Sequence, residues 1–352
     1  MPLMRNGKHL SDADILALEE PFTSKTKRLS LSYSAHKILM SDPKLFHQEK
    51  ILGERKIVKK KAYDEGSLRH LLLLEPKKFD DKYYIQKESK ETLSDNIKSI
   101  IFDTSEFRKS LVDPADPTTV PSTDMKDWTQ VMLQFMKDKD LFQKMKPDTQ
   151  LAKLITPLGL EYWDMLINKS HLTAITQKQY DSAKSDVDDF KLKEQYACNI
   201  MGLGTVKGDA YMEVDWFLPR PYLPFDEHGI LDNVFVHHDS KTVFLNDLKT
   251  SSSELNKFKY DIRKFGYDKQ IPKYANIVQH WMNENGLTDY TLEVRVIVMA
   301  QHNYYGVLRI SAETLSAYQH NHEIDLQKAK YHFDNWDFSK PYDFLQGKEV
   351  II

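Results

Sequence analysis

The spacing of apolar residues along the chain changes once, near residue 201. Before that point they recur mostly at helical intervals. After it, short runs rich in Val, Phe, Tyr and Trp read as strands: Tyr211–Leu218, Ile230–His237 and Thr242–Leu248, then Tyr290–Ala300 and Tyr304–Ile310. A helix is predicted from Ser32 or Ser34, either of which can cap it, to Asp42-Pro43, and another from Asp64 to Glu75, ended by Pro76. Helical patterns also span Trp128 to about Met201, follow a cap at Ser253, and cover Ala312–Trp336. A further helix starting near Asp268 carries Tyr274, Ile277, Val278 and Trp281 at helical spacing, the pattern of a core face. Residues 103–124, with Pro114, Pro117 and Pro121, read as a loop or insertion. The expected fold is α/β (α+β), a helical N-terminal half followed by a mixed α/β core. Residues 1–30 are expected to be poorly ordered, and 31–345 to form a single domain with a helical insertion at about 87–201.

Composition narrows the classes. At 352 residues with 41% hydrophobic and 29% charged, the chain has the makeup of an ordinary globular protein. Apolar runs such as Leu71–Leu74 fall far short of a membrane span, and Met1–Leu10 has no signal-peptide core, so the cytoplasm is the expected location. A single cysteine, Cys198, excludes a disulfide scaffold, a Cys-based structural zinc site and a four-Cys iron–sulfur cluster. Net charge is −3, yet bases concentrate in two stretches. Lys44–Lys61 carries seven against Glu49 and Glu54, and Lys257–Lys273 carries six against Asp261 and Asp268. Such patches can neutralise phosphates, or simply be solvated helix faces.

The candidate chemistry lies in the segment from Gly229 to Thr250. If Ile230–His238 and Lys241–Lys249 form a hairpin on the two-residue loop Asp239-Ser240, Asp232 lies directly opposite Asp247. Opposed like charges destabilise a sheet unless something offsets them, and a divalent cation with hard oxygen ligands does so. Strand periodicity puts Lys249 on the face of Asp247, where it can stabilise charge developing on a phosphate. An isolated Asp-x-Lys is otherwise an ordinary charged strand end. Gly66 and His70 stand one helical turn apart; a mid-helix glycine suggests a close backbone approach, and His70 is a possible third ligand or a satisfied core histidine. Gln270 and Tyr274 form a similar pair at a helix start, where Pro272 is tolerated.

The ordered set Gly66-x-x-x-His70, Asp232, Asp247-x-Lys249 and Gln270-x-x-x-Tyr274 resembles the PD-(D/E)XK nucleases of the RecB-like branch, especially phage-type exonucleases related to exodeoxyribonuclease VIII and lambda exonuclease. Ser32-Tyr-Ser34 and the Gly-Ser-Leu-Arg-His-Leu-Leu-Leu-Leu-Glu-Pro stretch add to it. The resemblance spans roughly Leu31 to Trp336, although about 87–201 contributes no motif. It implies a central mixed sheet flanked by helices and a metal-dependent exonuclease acting on linear double-stranded DNA, 5′ to 3′, in phage-type recombination or DNA processing. His70, Asp232 and Asp247 are the implied ligands of Mg²⁺ or Mn²⁺, Lys249 the catalytic lysine, and Gln270 with Tyr274 the residues that hold DNA or orient the lysine. Asp209, Glu213 and Asp215 compete to be an upstream acid. Lys27 or Arg28 could receive a 5′-phosphate, and Lys59, Lys60 and Lys61 could contact DNA. No iron–sulfur cluster is expected, since Asp42 stands at the corresponding cysteine position. A homo-oligomer and a single-strand annealing protein are implied partners. The alternatives are an endonuclease of the same fold, a non-catalytic DNA-binding module, or an interaction protein without a nucleic-acid role.

Overall fold

The computed structural model describes residues 28–54, 65–86, 93–112, 120–252 and 254–345, together with short strands at Met4–Arg5 and Lys8–His9. Lys27, Lys59, Lys60, Lys61 and Ser253 lie outside the described residues. The chain divides into two compact units, 77–182 and the remainder.

The larger unit is a mixed sheet with helices packed on it. Its elements are β1 (Ser30–Leu31), α1 (Tyr33–Ser41), α2 (Glu65–Leu74), β2 (Asp209–Leu218), β3 (Asp226–His237), β4 (Thr242–Thr250), α3 (Phe258–Lys264), α4 (Tyr267–Glu284), β5 (Thr291–Met299), β6 (Tyr305–Arg309) and α5 (Ala312–Asn335). The strand order is β6-β5-β4-β3-β1, with β2 also on β3. β3 runs antiparallel to β2 and β4 and parallel to β1, while β4 and β5 are parallel. Glu227 pairs with Leu218 of β2 and with Leu31 of β1, so these two strands lie on opposite edges of β3. Beside β1, the edge of β3 has no strand partner until Asn233 meets Asn246 of β4.

Register follows from side-chain chemistry. The β3–β4 ladder has the predicted pairing, ending at His237↔Thr242, but its loop is residues 238–241 rather than Asp239-Ser240 alone. Lys241 takes a left-handed conformation (φ 50) and donates its N–H to the His238 carbonyl at 3.2 Å. One extra residue on each side of the turn leaves the register unchanged. At the other end, buried Asn246 donates to Asn233 Oδ1 (2.7 Å) and to the Ile200 carbonyl (2.8 Å). A one-residue slip would strand these amides, so they pin the pairing.

The central core forms where α4 packs across β2, β3, β4 and β5, with Ile271, Ala275, Ile277, Val278 and Met282 meeting Val234, Val236, Val243 and Leu245. α4 begins at Tyr267 after Gly266 (φ 78), one residue before the expected start, and Pro272 falls in its second turn. Its missing N–H leaves the Asp268 carbonyl without its i+4 donor. α1 is capped by Ser32, whose hydroxyl accepts from Ala35 N, and ends at Asp42 as the sequence indicates. Gly66 falls in the first described turn of α2.

The smaller unit has its own core of Ile100, Ile101, Met132, Met136, Leu154 and Trp163 under helices Asp95–Ser110, Thr129–Asp138, Pro147–Leu154 and Pro157–Asn168. A parallel strand pair, Tyr83–Gln86 with Thr173–Thr176, breaks the expected run of helices. The loop expected from Asp103 is helical as far as Ser110, because its polar side chains are satisfied in place. Thr104 donates to the Ile100 carbonyl at 2.8 Å, and Arg108 to Ser122 and Pro121 carbonyls at 2.8 and 2.7 Å. Among the described residues, no helix is long and apolar enough to cross a membrane.

Candidate metal centre

β4 carries the alternation Val243, Leu245, Asp247, Lys249 along one face. The first two residues enter the core, and the last two continue that face to the point where β3 and β4 part. There the Asp232 carboxylate accepts the Leu248 N–H at 2.7 Å, taking the place of a ladder partner. Lys249 Nζ stands 2.8 Å from Asp247 and 4.0 Å from Asp232. Its ammonium also lies over the Tyr267 ring, 5.0 Å from the centroid, so an aromatic face holds it from a third side.

On the other edge of β3, Glu213 falls opposite Asp232, between the pairs Met212↔Asn233 and Val214↔Leu231. Glu213 is in the left-handed region (φ 47), and its pair is absent from the ladder. A non-glycine residue there costs on the order of 1–3 kcal/mol and is characteristic of functional sites. α2 packs against β4 and brings His70 to the same place. One ligand atom from each of His70, Glu213 and Asp232 lies within 4.8 Å of the others, and all three residues are half-buried.

The electrostatics reflect crowded charge. Burial raises the Asp247 carboxyl to about 6; Lys249 opposes this shift and Asp232 adds to it. Asp232 is raised as well, by burial, against the pull of Lys249 and the Leu248 amide. Burial alone would lower Lys249, but Asp247 and Asp232 outweigh it and hold the ammonium above its ordinary value. Asp247 Oδ2 is buried and lacks a hydrogen bond of proper geometry, although Lys249 is near it.

Two carboxylates and an imidazole, beside a buried carboxylate oxygen with spare capacity, are a donor set that fits Mg²⁺ or Mn²⁺. The sequence expectation and this cluster differ in membership. His70 and Asp232 belong to it, Glu213 is the acid that joins from the three left open, and Asp247 lies beside it on Lys249. Asp209 instead meets His238 at 2.8 Å, and Asp215 is exposed on β2. Gln270 Nε2 donates to the Tyr274 hydroxyl at 3.0 Å. The Tyr274 hydroxyl is pushed up to about 12, by burial against the Gln270 bond, with Asp247 and Asp232 contributing. Arg28 is engaged elsewhere, with Asp226 at 3.2 Å and the carbonyls of Arg220 and Leu223.

Two tyrosines have roles that the sequence reading did not assign, although Tyr33 lies within the quoted Ser32-Tyr-Ser34. Tyr267 supports Lys249, and Tyr33 donates to the Gly266 carbonyl at 2.7 Å, fixing the left-handed residue from which α4 starts. Tyr267 opens α4 one turn before the Gln270 and Tyr274 pair, a placement that could have drawn notice. The partner of Tyr33 could not be read from the sequence, because it is a backbone group 233 residues away.

No family model matches the chain, and a search of the curated proteins finds no match. A crystal structure from Eubacterium rectale, named "Putative exonuclease", is similar over 98% of this chain and 96% of that chain, with 13% identity and a TM-score of 0.41.

Proposed function

We propose that this chain is a Mg²⁺- or Mn²⁺-dependent deoxyribonuclease with a PD-(D/E)XK-type site, and that it acts as a 5′ to 3′ exonuclease on linear double-stranded DNA. The observation that carries the reading is the convergence of His70, Glu213 and Asp232 within 4.8 Å, beside Lys249 bracketed by Asp247 and Asp232. His70, Glu213 and Asp232 would hold the ion. When bound, it supplies Lewis-acid activation of a water and neutralises phosphate charge.

Lys249 carries a fixed positive charge in a largely water-excluded setting, where it offsets negative charge that accumulates on phosphorus-bound oxygens during displacement. Asp247 and the Tyr267 ring keep the ammonium in place. Gln270 and Tyr274 stand as a hydrogen-bonded pair on the first turns of α4, able to receive a phosphate oxygen or to orient Lys249. The strained Glu213 backbone aims a second carboxylate at the point where Asp232 sits.

The test is incubation of the purified chain with 5′-phosphorylated linear duplex and with closed circular duplex, in Mg²⁺ or in EDTA, alongside Asp232→Ala. Loss of the linear substrate alone, with the wild type and Mg²⁺ alone, is expected. Nicking of the circle makes the enzyme an endonuclease, and no cleavage in Mg²⁺ or Mn²⁺ overturns the nuclease reading.

A further inference from the structure

The short helix α3 connects the end of β4 to α4, and its two faces differ sharply. Phe258, Asp261 and Ile262 are buried. The outward positions are Lys257, Lys259, Tyr260, Arg263 and Lys264, followed by Phe265. This surface carries four bases and two exposed aromatic rings, with Tyr260 70% and Phe265 45% exposed. Among the described residues, Lys257 is the one of these bases in an ion pair, with Glu254 at 3.3 Å. The acid within the helix, Asp261, points inward.

Exposed tyrosine and phenylalanine side chains interleaved with basic side chains have a specific physical meaning. A protein partner would cover the rings and leave the flanking charges solvated at the rim, and a duplex backbone would meet the cations and leave the rings unused. A single strand uses both: phosphates meet the cations, and unpaired bases stack on the rings. Lys259 lies over the Tyr260 ring, 5.0 Å from its centroid, and Lys264 over that of Phe265 at 5.1 Å, so each ring carries a cation on one face and has the other for a base. The surface also leads into the site described above. Phe265 neighbours Tyr267 at 5.9 Å between centroids, and the Lys249 ammonium lies over the Tyr267 ring.

We infer that the exposed face of α3, with Phe265, is a stacking platform for single-stranded DNA continuous with the metal centre. This deepens the nuclease reading and rests on it for the identity of the nucleic acid. An enzyme degrading one strand of a duplex must separate the strands at the site, and the platform receives the unpaired bases.

Binding is measured without cleavage, in EDTA, with a fluorescent oligothymidylate strand and with a blunt duplex. Tyr260→Ala is expected to weaken single-strand binding about 5-fold or more and to leave duplex binding unchanged, and Tyr260→Trp to retain it. Arg263→Gln is expected to lower the slope of log affinity against log salt by about 0.7, the loss of one phosphate contact to a single strand. Equal single-strand affinity of Tyr260→Ala and the wild type overturns the platform, as does an equal loss for strand and duplex. The side chain is exposed, so these variants stay folded, and their circular dichroism should match the wild type. Failure of the nuclease reading is seen separately, as absent cleavage by a wild type whose strand binding still depends on Tyr260.

Discussion

Replacing Asp247 by Asn should stabilise the protein. The carboxyl is 2% exposed and sits beside Asp232, and its ionisation is displaced from an ordinary 3.8 to about 6. At 1.36 kcal/mol per pH unit, holding it ionised at pH 7 costs the folded state about 3 kcal/mol relative to the unfolded chain. Asparagine is close in shape to the protonated acid, so this figure already includes what Lys249 gives back. The sign follows from the direction of the shift. Below 3.8 the acid is protonated in both states and the cost is absent; it grows as pH rises from 3.8 to 6 and is complete above 6. Urea unfolding of wild type and Asp247→Asn in EDTA should therefore show a gain of about 3 kcal/mol at pH 7 that shrinks to a small fraction near pH 4. Added Mg²⁺ should narrow the gap by stabilising the wild type. An unchanged or lower midpoint for the variant at pH 7, or an equal gain at pH 4, would refute the view that this cluster stores unfavourable charge until a cation arrives.

Lys249→Met keeps the stem and removes the charge; single-turnover cleavage should fall about 100- to 1000-fold, and a rate within tenfold of wild type would remove the lysine from the mechanism. Gly229→Ala places a Cβ 2.6 Å from Cε1 of Tyr274, so overpacking of about 1–3 kcal/mol is expected in urea titrations, with a loss of cleavage as the ring shifts. His36 is buried with its Nε2 unpartnered and is lowered to about 3, by burial first and then by Lys273 and His322. The unfolded chain takes up this proton below 6.5 and the folded one resists it until about 3, so stability falls as pH drops. His36→Gln should lose about 3 kcal/mol less than the wild type between pH 7 and pH 4, and parallel profiles would exclude His36 as the cause.

The parts of this fold visible in the sequence are those governed by short-range rules. Val and Phe alternation locates β3 and β4 and their register, Ser32 marks the start of α1, and Asp42-Pro43 marks its end. Glu213 could not be told from Asp209 and Asp215, because a left-handed residue inside a strand leaves no trace in alternation, and glutamate is not a residue that signals it. The helix through Asp103–Ser110 was hidden for a related reason: Thr104, Ser105 and Arg108 look like loop composition until their backbone partners are known. Lys273 belongs to a basic stretch in the sequence, yet its ammonium is fully buried, bonded to the Leu31 carbonyl and 3.5 Å from Glu227. Charge alone does not separate a solvated face from an internal ion cluster when the partner lies far along the chain.

That cluster has a consequence for synthesis. Glu227 is met by Arg220 at 2.7 Å, His322 at 2.9 Å and Lys273, while Lys273 also holds β1 through Leu31. β1 has no sheet to join until β3 exists, and Ser30 and His228, which contact each other, are 198 residues apart. At roughly 5–20 residues per second, the start of the larger unit waits on the order of 10–40 s for its partner strand. The inserted unit, with a core of its own, is complete before then. The last member of the cluster, His322, arrives only with α5, so β1 and α5 are secured in one late step. Contacts of this sequence separation make for slow folding. Removal of α5 should therefore impair the seating of β1, almost 300 residues upstream, as much as it impairs its own neighbourhood.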